Sequence, residues 1–281
     1  MTADLADAYK SGSQRARVVT EFWAEQNLYC PNCSSPSLGR LSNNTRASDF
    51  SCPNCKFWFQ LKGQKTRIGN SVTDGAYAAM MHAINNDETP NFYFLHYDLA
   101  TWTIKNLLLI PSFAFPPSAI IKRPPLAATA RRAGWIGCNI ALHRIPAEAR
   151  IEIVRTGSSS GRESAHSKSQ SRLTSAATII VPPEEVREKF HRVKPLKEIG
   201  IKQRGWLLEV LAAVRSLNKK QFSNQDLYAL EAHFQQLHPE NRHIRDKIRQ
   251  QLQYLAAAGF IEHPGRNEYL LKPIEQKGIG S

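Results

Sequence analysis

Two copies of the tetrapeptide CPNC constrain this chain more than any other feature. They stand at Cys30–Cys33 and Cys52–Cys55, with eighteen residues between them. Two such pairs supply four thiolates to one tetrahedral Zn²⁺, and each Pro-Asn pair tightens its turn so that both sulfurs face one point. The alternative, four unligated thiols, needs a coincidence of spacing and of turn chemistry. The sequence therefore predicts a structural zinc site with the ligands Cys30, Cys33, Cys52 and Cys55.

The fifth cysteine and the N-terminal sequence bear on the cellular compartment. Cys138 has no partner at ligand spacing and follows small and apolar residues, so we expect a buried thiol. The N-terminal residues lack the charged-then-apolar build of a signal peptide, and the chain contains no run of eighteen apolar residues. Five cysteines without an export signal argue against a disulfide framework. We expect a cytoplasmic protein with no membrane partner.

The first 150 or so residues mix helical and extended patterns. Apolar spacing predicts a helix over Gln14–Asn27 and a second over Thr73–Asn86, the latter capped by Thr73 or Asp74. Aromatic and β-branched runs predict strands at Phe57–Lys62, Asn91–Tyr97, Trp102–Ile110 and Arg150–Val154, of which the second and third form an antiparallel pair. This mixture predicts an α/β or α+β domain.

A different pattern begins after a Ser-rich stretch. Residues 156–175 show no hydrophobic period and are interpreted as a flexible linker or exposed loop. From Arg204 onward, helical spacing predicts three helices, the second of which contains Leu227, Leu230 and Phe234. Turn residues at 264–267 predict a terminal β-hairpin. Three helices with such a hairpin are the outline of a winged helix. The predicted organisation is a first domain over 1–182, a linker over 183–202, a winged helix over 203–273 and a tail over 274–281.

Positive charge is abundant and unevenly spread. The chain carries 37 Lys and Arg against 24 Asp and Glu, a formal net charge of +13. Residues 1–121 are nearly balanced at +1, whereas residues 122–172 carry +7. Such an excess favours a polyanionic partner. A surface charged only for solubility is the alternative that composition leaves open.

A second constellation of residues surrounds the second cysteine pair. Asp49 precedes Cys52, and Gln60 and Lys62 follow Cys55 on one face of a predicted strand. An acidic residue followed by (Asp/Glu)-x-Lys on a strand is the pattern of a metal-dependent nuclease core, in which oxygen ligands hold Mg²⁺ and a lysine lies beside the attacking water. The pattern is weak by itself, and Gln60 replaces the expected carboxylate. The sequence predicts Asp49, Gln60 and Lys62 as catalytic residues, with Asp49 and Gln60 as the Mg²⁺ ligands.

Several longer segments resemble the DpnI-like methyl-directed restriction endonucleases, the Dam-replacing proteins. They are the paired CPNC, DF-x-C-x₂-C with the following F-x-LK, DGAYA-x-MM at Asp74–Met81, NF-x-FL at Asn91–Leu95, TARRAGWIGCNI at Thr129–Ile140, RGW at Arg204–Trp206, and the helix at Asp246–Gln253. The resemblance runs from about Ala8 to Leu271, excluding the Ser-rich stretch.

The resemblance implies an N-terminal PD-(D/E)xK nuclease domain with a zinc site and a C-terminal winged helix. It implies a type II enzyme of restriction-modification, acting as a monomer, that cuts both strands at GATC carrying N6-methyladenine. Asp49 matches the first catalytic acid and Lys62 the catalytic lysine. Gln60 stands where the related enzyme has Glu, and a neutral ligand is expected to bind Mg²⁺ more weakly.

Two clusters are candidates for DNA contact. Arg131, Arg132 and Trp135 form the densest basic-aromatic segment, where arginines suit phosphate or guanine and an indole suits a methyl group. The alternative is a core tryptophan with solvated arginines. In the winged helix, His243–Leu255 is the expected recognition helix, with Arg266 in the wing; a winged helix used for protein contact is the alternative. The recognition-helix candidates are Arg245, Lys247, Arg249, Gln250 and Gln253.

Two other functions compete with cleavage. A module that binds methylated DNA without cutting it, a regulator or a decoy, follows if Gln60 has blunted the metal site. A zinc-ribbon and winged-helix transcription factor explains the cysteines and the hairpin but leaves Lys62 and the DGAYA segment without a role.

Overall fold

The computed structural model describes residues 1–42, 48–156 and 178–273. Seven α-helices are formed in these ranges: α1 (Gly12–Asn27), α2 (Tyr77–Asn85), α3 (Pro183–Val193), α4 (Ile201–Ser216), α5 (Asn224–Tyr228), α6 (Glu231–Leu237) and α7 (Ile244–Ala257). The strands in the same ranges are β1 (Gly39–Arg40), β2 (Phe50–Ser51), β3 (Trp58–Gln64), β4 (Ser71–Ala76), β5 (Asn91–Tyr97), β6 (Ile104–Ile110), β7 (Ile120–Lys122), β8 (Gly137–Ala141), β9 (Ile151–Thr156), β10 (Thr178–Ile180), β11 (Gln221–Ser223), β12 (Ile261–Gly265) and β13 (Glu268–Leu271).

The chain folds into two compact units. The first comprises Met1–Ile68, Pro90–Ile110 and Ile151–Phe190, and the second comprises Gly69–Thr89, Pro111–Arg150 and His191–Ser281. Each unit therefore draws on segments that are distant in sequence. The domain boundaries expected from the sequence stay a prediction. The stretch expected to be a linker, residues 183–202, contains helix α3.

A seven-stranded mixed sheet forms the core of the first unit. Its order is β1-β2-β3-β5-β6-β9-β10, in which β3 and β5 are parallel and the other neighbours antiparallel. The central strand β5 is apolar on both faces, and most of its residues are buried. A strand buried on both faces needs this composition, because neither face meets water. Helix α1 packs against β3, where Gly63 leaves room for the side chain of Thr20.

The second unit combines a small sheet with a helical C-terminal part. Strands β4, β8 and β7 pair antiparallel in that order, and helix α2 follows β4 directly. In the C-terminal part, α4 packs on α7, and a three-stranded antiparallel sheet has the order β11-β13-β12. A capping box in which Ser223 and Asp226 bond each other's backbone amide starts α5.

The mixed α/β class with a C-terminal helical domain is confirmed, and the helix at 14–27 and the strands at 57–62, 91–97, 104–110 and 151–154 agree with the sequence prediction. Two element predictions were wrong. Residues 73–76, expected to begin a helix, belong to strand β4, because they pair with β8. Residues 227–234, expected as one helix, form α5 and α6, which break at Leu230. The Ser-rich stretch from 157 to 175 and the tail from 274 to 281 lie outside the described residues.

Candidate functional site

The four cysteines of the CPNC pairs converge on one point of the first unit. Their sulfur atoms all lie within 4.8 Å of one another, as predicted from the spacing. The Sγ atoms of Cys30 and Cys55 are 3.5 Å apart, and so are those of Cys33 and Cys52. A tetrahedral ion with Zn–S bonds of about 2.3 Å places its sulfurs about 3.8 Å apart. The cluster therefore has the ligand type, number and spacing of a structural zinc site.

The local electrostatics of the cluster are uneven. Burial opposes ionisation of Cys52, but the hydrogen bonds it accepts from backbone amides and neighbouring thiols lower its pKa to about 6. One of these donors is the amide of Cys55, 3.5 Å from the Cys52 sulfur. Burial instead raises the pKa of Cys30. Because zinc is bound by thiolates, the hydrogen bonds to Cys52 favour the state in which it binds the ion.

Cys138 belongs to the second unit, whereas the cysteine cluster belongs to the first. It is fully buried, and its thiol lies 3.5 Å from the carbonyl oxygen of Gly75. The prediction of a buried thiol is confirmed.

The second constellation lies where strand β2 meets β3. The backbone amide of Asp49 donates to the carbonyl of Phe59 over 2.9 Å. The Oδ2 atom of Asp49 accepts a 2.8 Å hydrogen bond from the amide of Leu61, which lies between Gln60 and Lys62. The short β2 strand thus holds the Asp49 carboxylate against the backbone of the Q-x-K segment.

Burial is the main influence on the Asp49 carboxyl group. It raises the pKa, and the hydrogen bond from the Leu61 amide works against it. The negative charge of Glu21 raises the pKa further, whereas the positive charges of Lys62 and Arg17 lower it. These interactions bring Asp49, Lys62 and helix α1 into one electrostatic environment.

Glu21 is a second carboxylate of this environment. It is 6% exposed, and its two oxygens pair with Arg17 Nε at 2.5 Å and with Arg40 Nη2 at 2.6 Å. Sequence reasoning missed it, because a glutamate in the middle of a helix has no fixed spacing to Asp49. Its only local signal is its arginine neighbour one turn earlier.

Gln60 and Lys62 are half-buried and share one face of β3 by the alternation of side chains along a strand. The Nζ atom of Lys62 lies 5.9 Å from the ring centroid of Phe92 on the neighbouring strand β5. Trp58 lies on the same face of β3, two residues before Gln60, and is 55% exposed. Sequence reasoning did not single out this indole, although its place in the period-two pattern was visible.

The Arg131–Trp135 segment forms an exposed turn in the second unit. Arg131 and Arg132 are exposed and Trp135 is half-buried. The guanidinium carbon of Arg132 lies 4.7 Å from the ring centroid of Trp135, a cation–π arrangement. Gly137 gives the indole its place, because a Cβ there would lie 2.8 Å from the ring.

Helix α7 presents most of its expected DNA-contacting residues to solvent. Arg245, Arg249, Gln250 and Gln253 are exposed, Lys247 is half-buried, and Arg266 is exposed in the turn between β12 and β13. Two of the arginines have acidic partners. Arg245 pairs with Glu231 at 2.8 Å, and Arg249 contacts Asp246 one turn earlier.

The chain thus joins a mixed-sheet unit that carries a four-cysteine cluster to a helical domain that exposes a basic helix, an arrangement expected of a DNA-binding protein. Comparison with family models agrees. The model of DpnI, the Dam-replacing family, matches residues 1–177, and that of the Dam-replacing helix-turn-helix domain matches residues 202–270. The chain belongs to the Dam-replacing family.

Family membership implies a restriction endonuclease, and the helix-turn-helix domain implies that the protein binds DNA. None of the helices in the described ranges has the length and apolarity needed to cross a bilayer.

Proposed function

We propose that the protein is a type II methyl-directed restriction endonuclease that uses Mg²⁺ to cut both strands of DNA at GATC carrying N6-methyladenine. The observation that carries the proposal is the hydrogen bond from Leu61 to Asp49, which fixes a carboxylate beside the Gln60-x-Lys62 strand. Family membership supports the reaction class and is the reason to expect a methylated substrate. We interpret the first unit as a PD-(D/E)xK core and the C-terminal part as a winged helix.

The donor set of this site fits a hard cation, although weakly. Mg²⁺ prefers oxygen ligands, and Asp49 offers a carboxylate oxygen while Gln60 offers a neutral amide oxygen. When bound, the ion polarises the scissile phosphate and stabilises the charge that develops on it. The other cofactor of the proposal is the structural Zn²⁺ of the cysteine cluster.

The chain's own residues supply the remaining steps. Asp49 has to be ionised to hold the cation, and Leu61 keeps one of its oxygens oriented. Lys62, on the same strand face as Gln60, places an ammonium group where it can orient the attacking water and balance the phosphate charge. Trp58 flanks these residues as an exposed surface against which the DNA can pack.

Recognition is assigned to the second unit. We propose that the Trp135 ring forms the apolar wall for the adenine methyl group, with Arg131 and Arg132 at phosphate or guanine. Filling such an apolar site with a methyl group is worth on the order of 1–2 kcal/mol, a factor of about 5 to 30 in binding. Methyl groups on two strands multiply this preference.

Helix α7 is the proposed recognition helix. Arg245 and Arg249 exchange their acidic partners for DNA when the helix enters the major groove, and Lys247, Gln250 and Gln253 add contacts along the same helix. Arg266, in the turn of the hairpin, contacts a phosphate. We propose that the protein acts as a monomer.

Digestion of the same plasmid with and without adenine methylation at GATC tests the proposal. We expect cleavage of the methylated form and survival of the unmethylated form in the presence of Mg²⁺. Lys62→Ala is expected to lower the cleavage rate by at least about 100-fold, since it removes the group beside the water. Lys65→Ala, at an exposed lysine just beyond the site, is the matched control and should cut normally.

Two outcomes count against the proposal. Equal cutting of both plasmids contradicts methyl direction. Tight binding to methylated GATC without nicking at any Mg²⁺ or Mn²⁺ concentration favours a non-cleaving binding module, which the neutral Gln60 makes the second candidate.

A further inference from the structure

Helix α3 reaches the cysteine cluster through a single arginine. The Nε atom of Arg187 lies 3.2 Å from the carbonyl oxygen of Cys30 and 3.0 Å from that of Cys33, and donates to both. Its Nη2 atom lies 3.5 Å from the carbonyl of Ser35. One guanidinium therefore binds the backbone of both cysteines in the first CPNC pair, from more than 150 residues away in the chain.

An aromatic contact fixes the same guanidinium from another side. Its carbon atom lies 5.1 Å from the ring centroid of Tyr29, which immediately precedes Cys30. Among the described residues, the carboxylate paired with Arg187 is that of Glu184, which lies at the limit of an ion pair, 4.0 Å away, and is 81% exposed. The carbonyls and the ring, rather than an acidic partner, therefore determine the position of Arg187.

Helix α3 also touches the second cysteine pair. Phe190, one turn after Arg187, is fully buried, and its ring centroid lies 6.1 Å from that of Phe57, two residues after Cys55. The helix thus contacts the segments on both sides of the cluster. It lies outside the ranges that the two family models match, 1–177 and 202–270.

The charge of an occupied cluster explains why a cation suits this place. Four thiolates around one Zn²⁺ leave a net charge of −2. A guanidinium that donates to the carbonyls of Cys30 and Cys33 offsets part of this charge. The same hydrogen bonds orient the backbone of the first CPNC segment. Arginine suits both tasks, because it stays charged and presents several donors in a rigid planar fork.

We propose that Arg187 is a positioning residue of the zinc site and that it anchors helix α3 to the first CPNC segment, Cys30–Cys33. Zinc binding and docking of α3 are then coupled: loss of the guanidinium speeds the loss of zinc, and loss of zinc releases the helix. The inference concerns the zinc centre and is independent of whether the Asp49 site cuts DNA.

Zinc release from the native, zinc-loaded protein into an excess of a colorimetric chelator tests the first half. We expect Arg187→Ala to release zinc about 10- to 100-fold faster than the wild type, the range found when partners of metal ligands are removed. Arg187→Lys keeps the charge but cannot form the planar fork of donors, so its rate of zinc release should lie between those of the wild type and Arg187→Ala. Lys189→Ala removes a cation of the same helix that pairs with Glu185 at 2.6 Å, and is the matched control.

A spectroscopic readout separates positioning from general stability. In the cobalt-substituted protein, the thiolate-to-cobalt charge-transfer band should move to lower energy in Arg187→Ala, because removal of a positive charge destabilises the sulfur lone pairs. The band of Lys189→Ala should not move. Equal zinc release by wild type and Arg187→Ala, with an unchanged band, overturns the inference.

Amide hydrogen exchange tests the second half. Protection of residues 183–193 should fall when zinc is removed from the wild type, and should already be reduced in zinc-loaded Arg187→Ala. Exchange in α3 that is indifferent to zinc contradicts the coupling. A protein that binds no zinc at all overturns the inference at its base but leaves the cleavage experiments unaffected.

Discussion

The cysteine cluster and the Asp49 site lie in the same unit and share the segment from 49 to 62, yet they are prepared for metal in different ways. The cluster brings together four potential thiolates within 4.8 Å. The Asp49 site offers one carboxylate, one neutral amide and a lysine, and burial raises the pKa of that carboxylate. Ligand number and charge therefore favour permanent occupancy of the first centre and reversible occupancy of the second.

This difference suits the roles proposed for the two centres. A structural ion has to stay bound while the two CPNC segments fold around it. A catalytic Mg²⁺ keeps several of its waters and is completed by substrate phosphate, so a sparse protein site is sufficient. In the proposed enzyme, Asp49 and Gln60 would hold the cation only weakly by themselves, and bound DNA would strengthen its binding.

Removal of one cysteine ligand should have the largest effect. Structural zinc contributes about 10–16 kcal/mol of apparent binding free energy in zinc-finger peptides, so Cys52→Ser should cost several kcal/mol and disrupt the zinc-binding part of the first unit. Thermal unfolding and the zinc content of the purified protein measure this.

Cys138→Ala provides the control for that variant. Cys138 is as buried as Cys52 but belongs to the second unit, and among the described residues it is not part of the four-cysteine cluster. It should keep its full zinc content with a cost of about 1 kcal/mol or less for the small cavity. If Cys52→Ser retains zinc as tightly as Cys138→Ala, the tetrathiolate account is wrong.

A smaller and more specific effect is expected at Glu21. Its negative charge raises the pKa of Asp49, and Glu21 also engages Arg17, whose charge lowers it. Glu21→Gln removes the first influence and frees Arg17, so both changes lower the Asp49 pKa. Asp49 is expected to bind Mg²⁺ only when it is ionised. The acid limb of the pH dependence of cleavage should therefore move to lower pH in Glu21→Gln.

The pH dependence of kcat/KM at subsaturating Mg²⁺ measures this shift. In the wild type, the raised pKa of Asp49 should place this acid limb at a higher pH than an unperturbed aspartate would. Arg15→Ala, on the same helix at a residue paired only loosely with Asp7, is the control. If the acid limb of Glu21→Gln stays where it is in the wild type or moves to higher pH, Glu21 does not raise the pKa of Asp49 as proposed.

The residues that could be predicted from sequence are those whose relation is local. The spacing of the cysteines in the CPNC pairs predicts that their sulfurs converge. Gln60 and Lys62 share a strand face through the alternation of side chains. The contacts that could not be predicted are tertiary. Residues 73–76 become a strand only because β8 pairs with them, and Glu21 and Arg187 reach their sites from helices distant in sequence.

The Mg²⁺ dependence of cleavage by the wild type and by Gln60→Glu, on a plasmid with methylated GATC, tests the central claim most directly. The account predicts that both proteins cut, and that Gln60→Glu reaches half of its maximal rate at a lower Mg²⁺ concentration, because a carboxylate binds the ion more tightly than an amide. Cleavage by neither protein at any Mg²⁺ concentration, or identical Mg²⁺ dependence in both, would contradict it.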